Sequence, residues 1–158
     1  MPDSLPILLI RGGVGTGKTC LAVALFKELL AAGRDIEFWN ALDLVVDHHH
    51  SREIKYNPDA EVFVLDDLGV ERTAESTDRL YDLVYPRLHD LKAMVITTAM
   101  SDEELAQRYH SVFASRLHAS ATFIELTGPD RRLEKADPET RRLIEKACRD
   151  RRSERGAK

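Results

Sequence analysis

The stretch ILLIRGGVGTGKTCLAVALF, residues 7–26, decides the fold. Residues 7–10 are an unbroken apolar run, the mark of a strand buried on both faces. Leu21, Ala22, Leu25, Phe26, Leu29 and Leu30 recur at helical spacing, and Gly33 stands where a helix C-cap belongs. Between strand and helix, Gly12-Gly13-Val14-Gly15-Thr16-Gly17-Lys18-Thr19 fits G-x-x-x-x-G-K-[ST]. Glycines in such a turn let several backbone N–H groups point inward, where side chains would block an anion. The helix N-terminus behind the turn adds a partial positive charge. The expectation is a phosphate cradle for ATP made of Gly12, Gly13, Val14, Gly15, Thr16, Gly17, Lys18, Thr19 and Cys20. Lys18 reaches the β- and γ-phosphates, and the Thr19 hydroxyl ligates Mg2+.

A second acidic motif supports this reading. Val62-Phe63-Val64-Leu65 is another buried strand, and it ends in Asp66-Asp67. Asp favours turns, so the pair alone would say little. Behind a phosphate loop, Asp66 is the carboxylate that holds Mg2+, commonly through water. Asp67 is then expected to orient or deprotonate the attacking water.

The remaining pattern alternates strands with helices. Residues 36–39, 94–97 and 122–126 read as strands. Residues 41–50 read as a short helix, and residues 75–89 as a longer one that Pro86 should kink or shorten. Ser101 with Glu104 forms a capping box for a helix that continues, through a further helical stretch, to Leu117. A charged helix interrupted near Asp137-Pro138 closes the chain. Strands alternating with helices mean a parallel sheet covered on both faces, a three-layer α/β/α arrangement.

Composition sets bounds. The chain has 158 residues, enough for one domain with a real core. It carries a formal net charge of -4, so it is not a polycation drawn to nucleic acid. The charge is uneven: residues 130–158 hold 11 Lys/Arg and 7 Asp/Glu, a net of +4. A core of residues 1–129 and a basic helical tail of residues 130–158 are therefore expected. No apolar run is long enough to cross a bilayer, and the first residues do not form a signal peptide. The expected location is cytoplasmic, where Cys20 and Cys148 stay as free thiols.

At this point the chain resembles the AAA+ ATPases of the bacterial replicative helicase loaders (DnaC-like) and the related transposition helper IstB. Four segments carry the resemblance: GGVGTGKTCLA at residues 12–22, VFVLDDLG at 62–69, VITTAMSDEELAQR at 95–108 and SRLHASATFIELTGPDRR at 115–132. The resemblance implies a P-loop ATPase with a five-stranded parallel sheet in the order 5-1-4-3-2. It implies that Arg116 is an arginine finger completing the ATP site of a neighbouring copy in a homo-oligomer. Arg132, with Arg131 as fallback, falls where a sensor-2 arginine contacts the γ-phosphate, and Thr98 takes the sensor-1 position. The implied partners are a replicative helicase or a transposase, with single-stranded DNA a further candidate.

This sequence departs from the pattern at Thr97-Thr98-Ala99, where the resembling proteins have asparagine in place of Ala99. Asp67 stands where most AAA+ ATPases have the longer glutamate, so slow, partner-stimulated hydrolysis is expected. The resembling proteins also carry helicase-binding sequence upstream of the first strand and a longer connection between the second and third strands. Two other functions remain open: a P-loop small-molecule kinase, and a non-hydrolysing interaction module. A kinase needs an acceptor pocket and a lid, and no segment between the second and third strands is long enough for an obvious acceptor domain.

Three further features carry no functional expectation. The run His48-His49-His50 cannot converge on one metal ion from a helix. Cys20 reads as a packing residue rather than a nucleophile, having no paired base. Trp39 reads as core.

Overall fold

A computed structural model describes residues 7–47, 57–134, 137–140 and 142. Five strands form one sheet: β1 (Ile7–Gly12), β2 (Ile36–Asn40), β3 (Val62–Leu68), β4 (Met94–Thr98) and β5 (Ala121–Leu126). The helices are α1 (Lys18–Ala31), α2 (Ala41–Asp47), α3 (Ala74–His89), α4 (Asp102–Ser120) and α5 (Arg131–Glu134). The strand order is β2-β3-β4-β1-β5, the expected order read from the other edge. Every pairing is parallel, so β1 lies between β4 and β5 with Ile10 opposite Thr97 and Ile124.

Two cores sandwich the sheet. On one face Ala22 of α1 packs with Ile10, Val64 and Val95, and Leu21, Leu25 and Phe26 close the edge. On the other face Leu80, Val84 and Leu88 of α3 and Leu105, Tyr109, Phe113 and Leu117 of α4 cover Leu9, Phe63, Leu65, Met94 and Ile96. The strand residues sort by period two, because successive side chains of a strand point to opposite faces. That alternation decides which residues at the strand ends face α1 and the phosphate loop.

Gly33, in the left-handed region at φ 75°, ends α1 and lets Arg34 N donate to Leu29 O at 3.1 Å. The capping box at α4 is complete: Ser101 Oγ accepts from Glu104 N, and Glu104 Oε2 accepts from Ser101 N. The expected shortening at Pro86 is a correction, since α3 runs through it to His89. Pro86 sits in the last turn, so few helix bonds depend on its missing N–H. The adjacent buried Arg87 clamps that helix end, donating to the carbonyls of Pro58 (2.8 Å), Ala60 (2.9 Å) and Ala93 (3.2 Å).

The irregularity falls in α4 instead. Tyr109 (φ -110°) and His110 (φ 68°) break the helix into two halves. Tyr109 Oη donates to the buried carboxylate of Glu71, which also accepts from Arg108 Nε at 2.7 Å and from Gly69 N at 3.2 Å. Drawing Arg108 and Tyr109 onto one buried anion is the local reason for the break. Trp39 packs against the core as expected. Among the described residues no helix is long and apolar enough to cross a membrane. The residues His48-His49-His50, Cys148 and most of the basic tail lie outside the described residues.

Candidate nucleotide site

The loop between β1 and α1 takes the geometry its glycines permit. Gly15 (φ 74°) and Gly17 (φ 101°) occupy the left-handed region. A Cβ on Gly15 would collide with the carboxylate of Asp130, so no other residue fits there. Gly17 is the N-cap of α1, with no side-chain acceptor and no acidic residue in the first turn. The N–H groups of that turn are left for an anion, with the helix dipole behind them. Lys18 is nearly buried, at 7% exposure, and its Nζ donates to the carbonyls of Gly12 (2.9 Å) and Gly13 (2.8 Å). The ammonium group is thus held on the loop it serves.

β3 delivers the carboxylates. Pairing between β3 and β4 shifts register between Leu65 and Leu68, so Asp66 and Asp67 sit on an irregularity that re-aims both. Asp67 adopts φ 58°, a left-handed conformation that Asp tolerates better than most residues. Asp66 is 4% exposed and accepts from Thr19 Oγ1 at 3.0 Å across 47 positions of sequence. It also accepts from Thr97 Oγ1 at 2.6 Å, and the same hydroxyl accepts from Asp67 N at 2.9 Å. Burial, and next the neighbouring carboxylate of Asp66, push the Asp67 carboxyl above the ordinary Asp range; Lys18 and then Arg132 pull the other way.

The cleft bounded by these groups has a volume of about 980 Å3. Residues 14–21, Asp67, Val70, Ala99, Leu126, Arg131 and Arg132 line it. The arginines reach it because the chain after β5 closes over the loop, with Arg131 N donating to Gly15 O at 3.1 Å. Asp130 Oδ1 accepts from Arg132 N at 2.9 Å and fixes the turn.

The expected site residues therefore divide. Gly12, Gly13, Val14, Gly15, Thr16, Gly17, Lys18, Thr19, Cys20, Asp66, Asp67 and Arg132 converge on one cleft or its floor. Arg131 lines it beside Arg132, so the two arginines are not separated by position. Cys20 is exposed in the cleft, a correction to its reading as a packing residue. Thr98 is buried away from the cleft: it donates to Leu68 O at 2.7 Å and accepts from Met100 N at 3.1 Å. The hydroxyl on the carboxylates belongs to Thr97, which the sequence reading passed over. The signal was present, because Val95 packs against α1 and the alternation then turns Thr97 to the same face. Arg116 is exposed on α4, outside the chain's own cleft, with its guanidinium over the Tyr85 ring at 5.6 Å.

The donor set fits a nucleotide with magnesium. Among the described residues no group of three or more His, Cys, Asp and Glu could hold a metal ion by itself. One buried carboxylate and one hydroxyl suit an ion that keeps water and phosphate oxygens as its other ligands, as Mg2+ does.

The comparisons agree with this geometry. Residues 4–128 match the model of the IstB-like ATP binding protein family. No match is found among curated protein sequences. Among solved structures, the DnaC helicase loader is 26% identical with a TM-score of 0.69, covering 80% of this chain and 81% of that one. DnaI is 22% identical with a TM-score of 0.62, covering 79% and 75%. AMPPCP-bound DnaA from Aquifex aeolicus is 20% identical with a TM-score of 0.57, covering 82% of this chain but 43% of its own. With its sheet order and phosphate loop, the chain has the P-loop NTPase fold of the AAA+ type and belongs to the IstB-like ATP-binding protein family.

Proposed function

We propose that this protein is a slow, partner-stimulated ATPase that assembles side by side with copies of itself and remodels a replicative helicase. The single observation that supports this best is the 3.0 Å contact between Thr19 and Asp66, which joins the phosphate loop to the acidic strand end. Bound Mg2+ would neutralise developing charge on the phosphates of ATP. The chain's own groups do the rest. Lys18 and the N–H groups of the α1 N-terminus would hold the β- and γ-phosphates, and Thr19 and Asp66 would hold the ion. Asp67 receives the proton of the attacking water, and burial, with the Asp66 carboxylate beside it, makes it a stronger base than an ordinary Asp. Arg132 offers a cation to the γ-phosphate.

Arg116, which does not line its own cleft, is assigned to the site of the adjacent copy. Likeness to the DnaC helicase loader over most of both chains favours a replicative helicase as the remodelled partner. The resemblance to the transposition helper IstB makes a transposase the alternative partner, and the match to the IstB-like ATP binding protein family supports it.

A second reading has one observation behind it. Ala99 lines the cleft at the end of β4, where the resembling proteins carry an amide that positions water. Without that amide the protein would bind ATP as an interaction module and not hydrolyse it. Single-turnover ADP release separates the two, measured with excess protein, with and without single-stranded DNA or a candidate helicase. The ATPase reading expects ADP, raised by the partner and abolished in Lys18→Ala. Retention of ATP through many hours, with and without partner, would establish the module instead.

A further inference from the structure

Tyr81 and Tyr85 lie one helical turn apart on α3, with their rings stacked at 4.8 Å and 16°. At one end of this pair, Tyr81 meets Phe113 at 5.9 Å, and Phe113 is fully buried in the core. At the other end, the Arg116 guanidinium lies over the Tyr85 ring at 5.6 Å. Phe113 and Arg116 stand three residues apart on the second half of α4, so one face of that half-helix touches the aromatic pair at both ends. The break at Tyr109 and His110 sets the direction of this half-helix, and His110 itself packs edge-on to Tyr81 at 6.0 Å. Among the described residues no carboxylate forms an ion pair with Arg116.

We infer that Tyr85 is a positioning residue for Arg116: an aromatic shelf, footed in the core through Tyr81 and Phe113, that presents the guanidinium to the nucleotide of an adjacent copy. The inference rests on the proposed action of Arg116 in trans and deepens it. The physical reason is the way each partner holds an arginine. A carboxylate would occupy N–H donors of the fork and would have to be displaced before phosphate oxygens could bind. A ring holds the cation through its face and leaves the five donors available. The ring also removes some of the rotamer freedom that a long exposed side chain would lose on engaging the transition state.

The test compares Tyr85→Leu, Tyr85→Phe and Arg116→Ala in steady-state ATP hydrolysis by the full chain. Each variant is also mixed with excess Lys18→Ala protein, which cannot hydrolyse ATP but offers an intact Arg116 to its neighbours. Removing the ring in Tyr85→Leu should lower kcat about 2- to 5-fold, the worth of one exposed cation–π contact, with the KM for ATP unchanged. Tyr85→Phe keeps the ring face and should match the wild type. Adding Lys18→Ala protein should restore both Tyr85→Leu and Arg116→Ala, because the lost group acts on the next copy; a general packing defect would not be restored. If Arg116→Ala is impaired and restored while Tyr85→Leu is unaffected, or is impaired but not restored, the shelf is overturned and the trans arginine stands. If Arg116→Ala is fully active, or is not restored by mixing, the trans reading fails and the shelf fails with it.

Discussion

Thr97 and Asp66 meet at 2.6 Å in the floor of the cleft, and the same hydroxyl accepts from the backbone of Asp67 at 2.9 Å. One side chain on β4 therefore fixes both carboxylates at the end of β3. Its donated hydrogen bond sets which oxygen of Asp66 is left for Thr19, and its accepted bond holds the backbone that turns Asp67 to φ 58°. Replacing it by Val keeps shape and burial but leaves a buried carboxylate short of a donor. Hydrogen bonds to charged groups contribute about 1.5–3 kcal/mol, so Thr97→Val should lower unfolding free energy by that amount. It should also weaken magnesium-dependent nucleotide affinity, and Thr97→Ser should restore both. Denaturant unfolding and ATP titrations with and without magnesium are the measurements; a Thr97→Val protein equal to wild type in both would sink the assignment.

Lys18 places a nearly buried ammonium on the carbonyls of Gly12 and Gly13. If that ammonium grips terminal phosphates, ATP with magnesium stabilises the wild type and not Lys18→Ala. At a ligand concentration of 100 Kd the linkage is worth about 2.7 kcal/mol. In a chain of this size each kcal/mol shifts Tm by about 2–4 °C, which gives a rise of about 5–11 °C. Differential scanning fluorimetry reads it directly. An unshifted wild type would refute nucleotide binding itself.

Much of the fold was legible in the sequence for physical reasons. Fully buried strands must be continuous apolar runs, and 7–10 and 62–65 could be little else. The phosphate loop was legible because its glycines are demanded by backbone geometry, as Gly15 against Asp130 demonstrates. What escaped depended on distant partners. Thr97 and Thr98 are chemically alike, and only the packing of Val95 against α1 separates their roles. Pro86 looked like a breaker because its local cost is visible, while the compensating clamp by Arg87 spans 27–29 residues. The break in α4 escaped because its cause, Glu71, lies 37 and 38 positions from Arg108 and Tyr109.

That Glu71 cluster predicts a stability effect separable from activity at the cleft. Glu71 is fully buried and gathers Gly69 N, Arg108 and Tyr109 Oη. Glu71→Gln keeps the volume, removes the charge and leaves donors unmatched, at about 1–3 kcal/mol. Tyr109→Phe removes one donor of three and should cost less, about 0.5–1.5 kcal/mol. Arg108 is partly exposed, so solvent replaces some of its interaction and Arg108→Gln should fall between them. Chemical denaturation orders the three variants. Because the three residues share one network, the double variant Glu71→Gln/Tyr109→Phe should cost less than the sum of the single changes. Strict additivity would show that they act independently.

Asp67 carries the pH prediction, and its sign can be worked through. Burial and the Asp66 carboxylate raise its folded pKa above that of an unfolded Asp. Between those two values the native state holds a proton that the unfolded chain has lost. Stability therefore falls as pH rises through that window, and the cost of an ionised Asp67 is fully present above it. Asp67→Asn removes the charge and tolerates the left-handed backbone, so it should melt higher than the wild type near pH 7. The advantage should shrink as pH falls and the wild-type carboxyl takes up its proton. The same variant should retain ATP binding and lose hydrolysis. Arg132 lowers the Asp67 pKa, so Arg132→Gln should move the acidic limb of the kcat profile to higher pH. A limb that stays in place, or moves down, would remove Asp67 from the role of base.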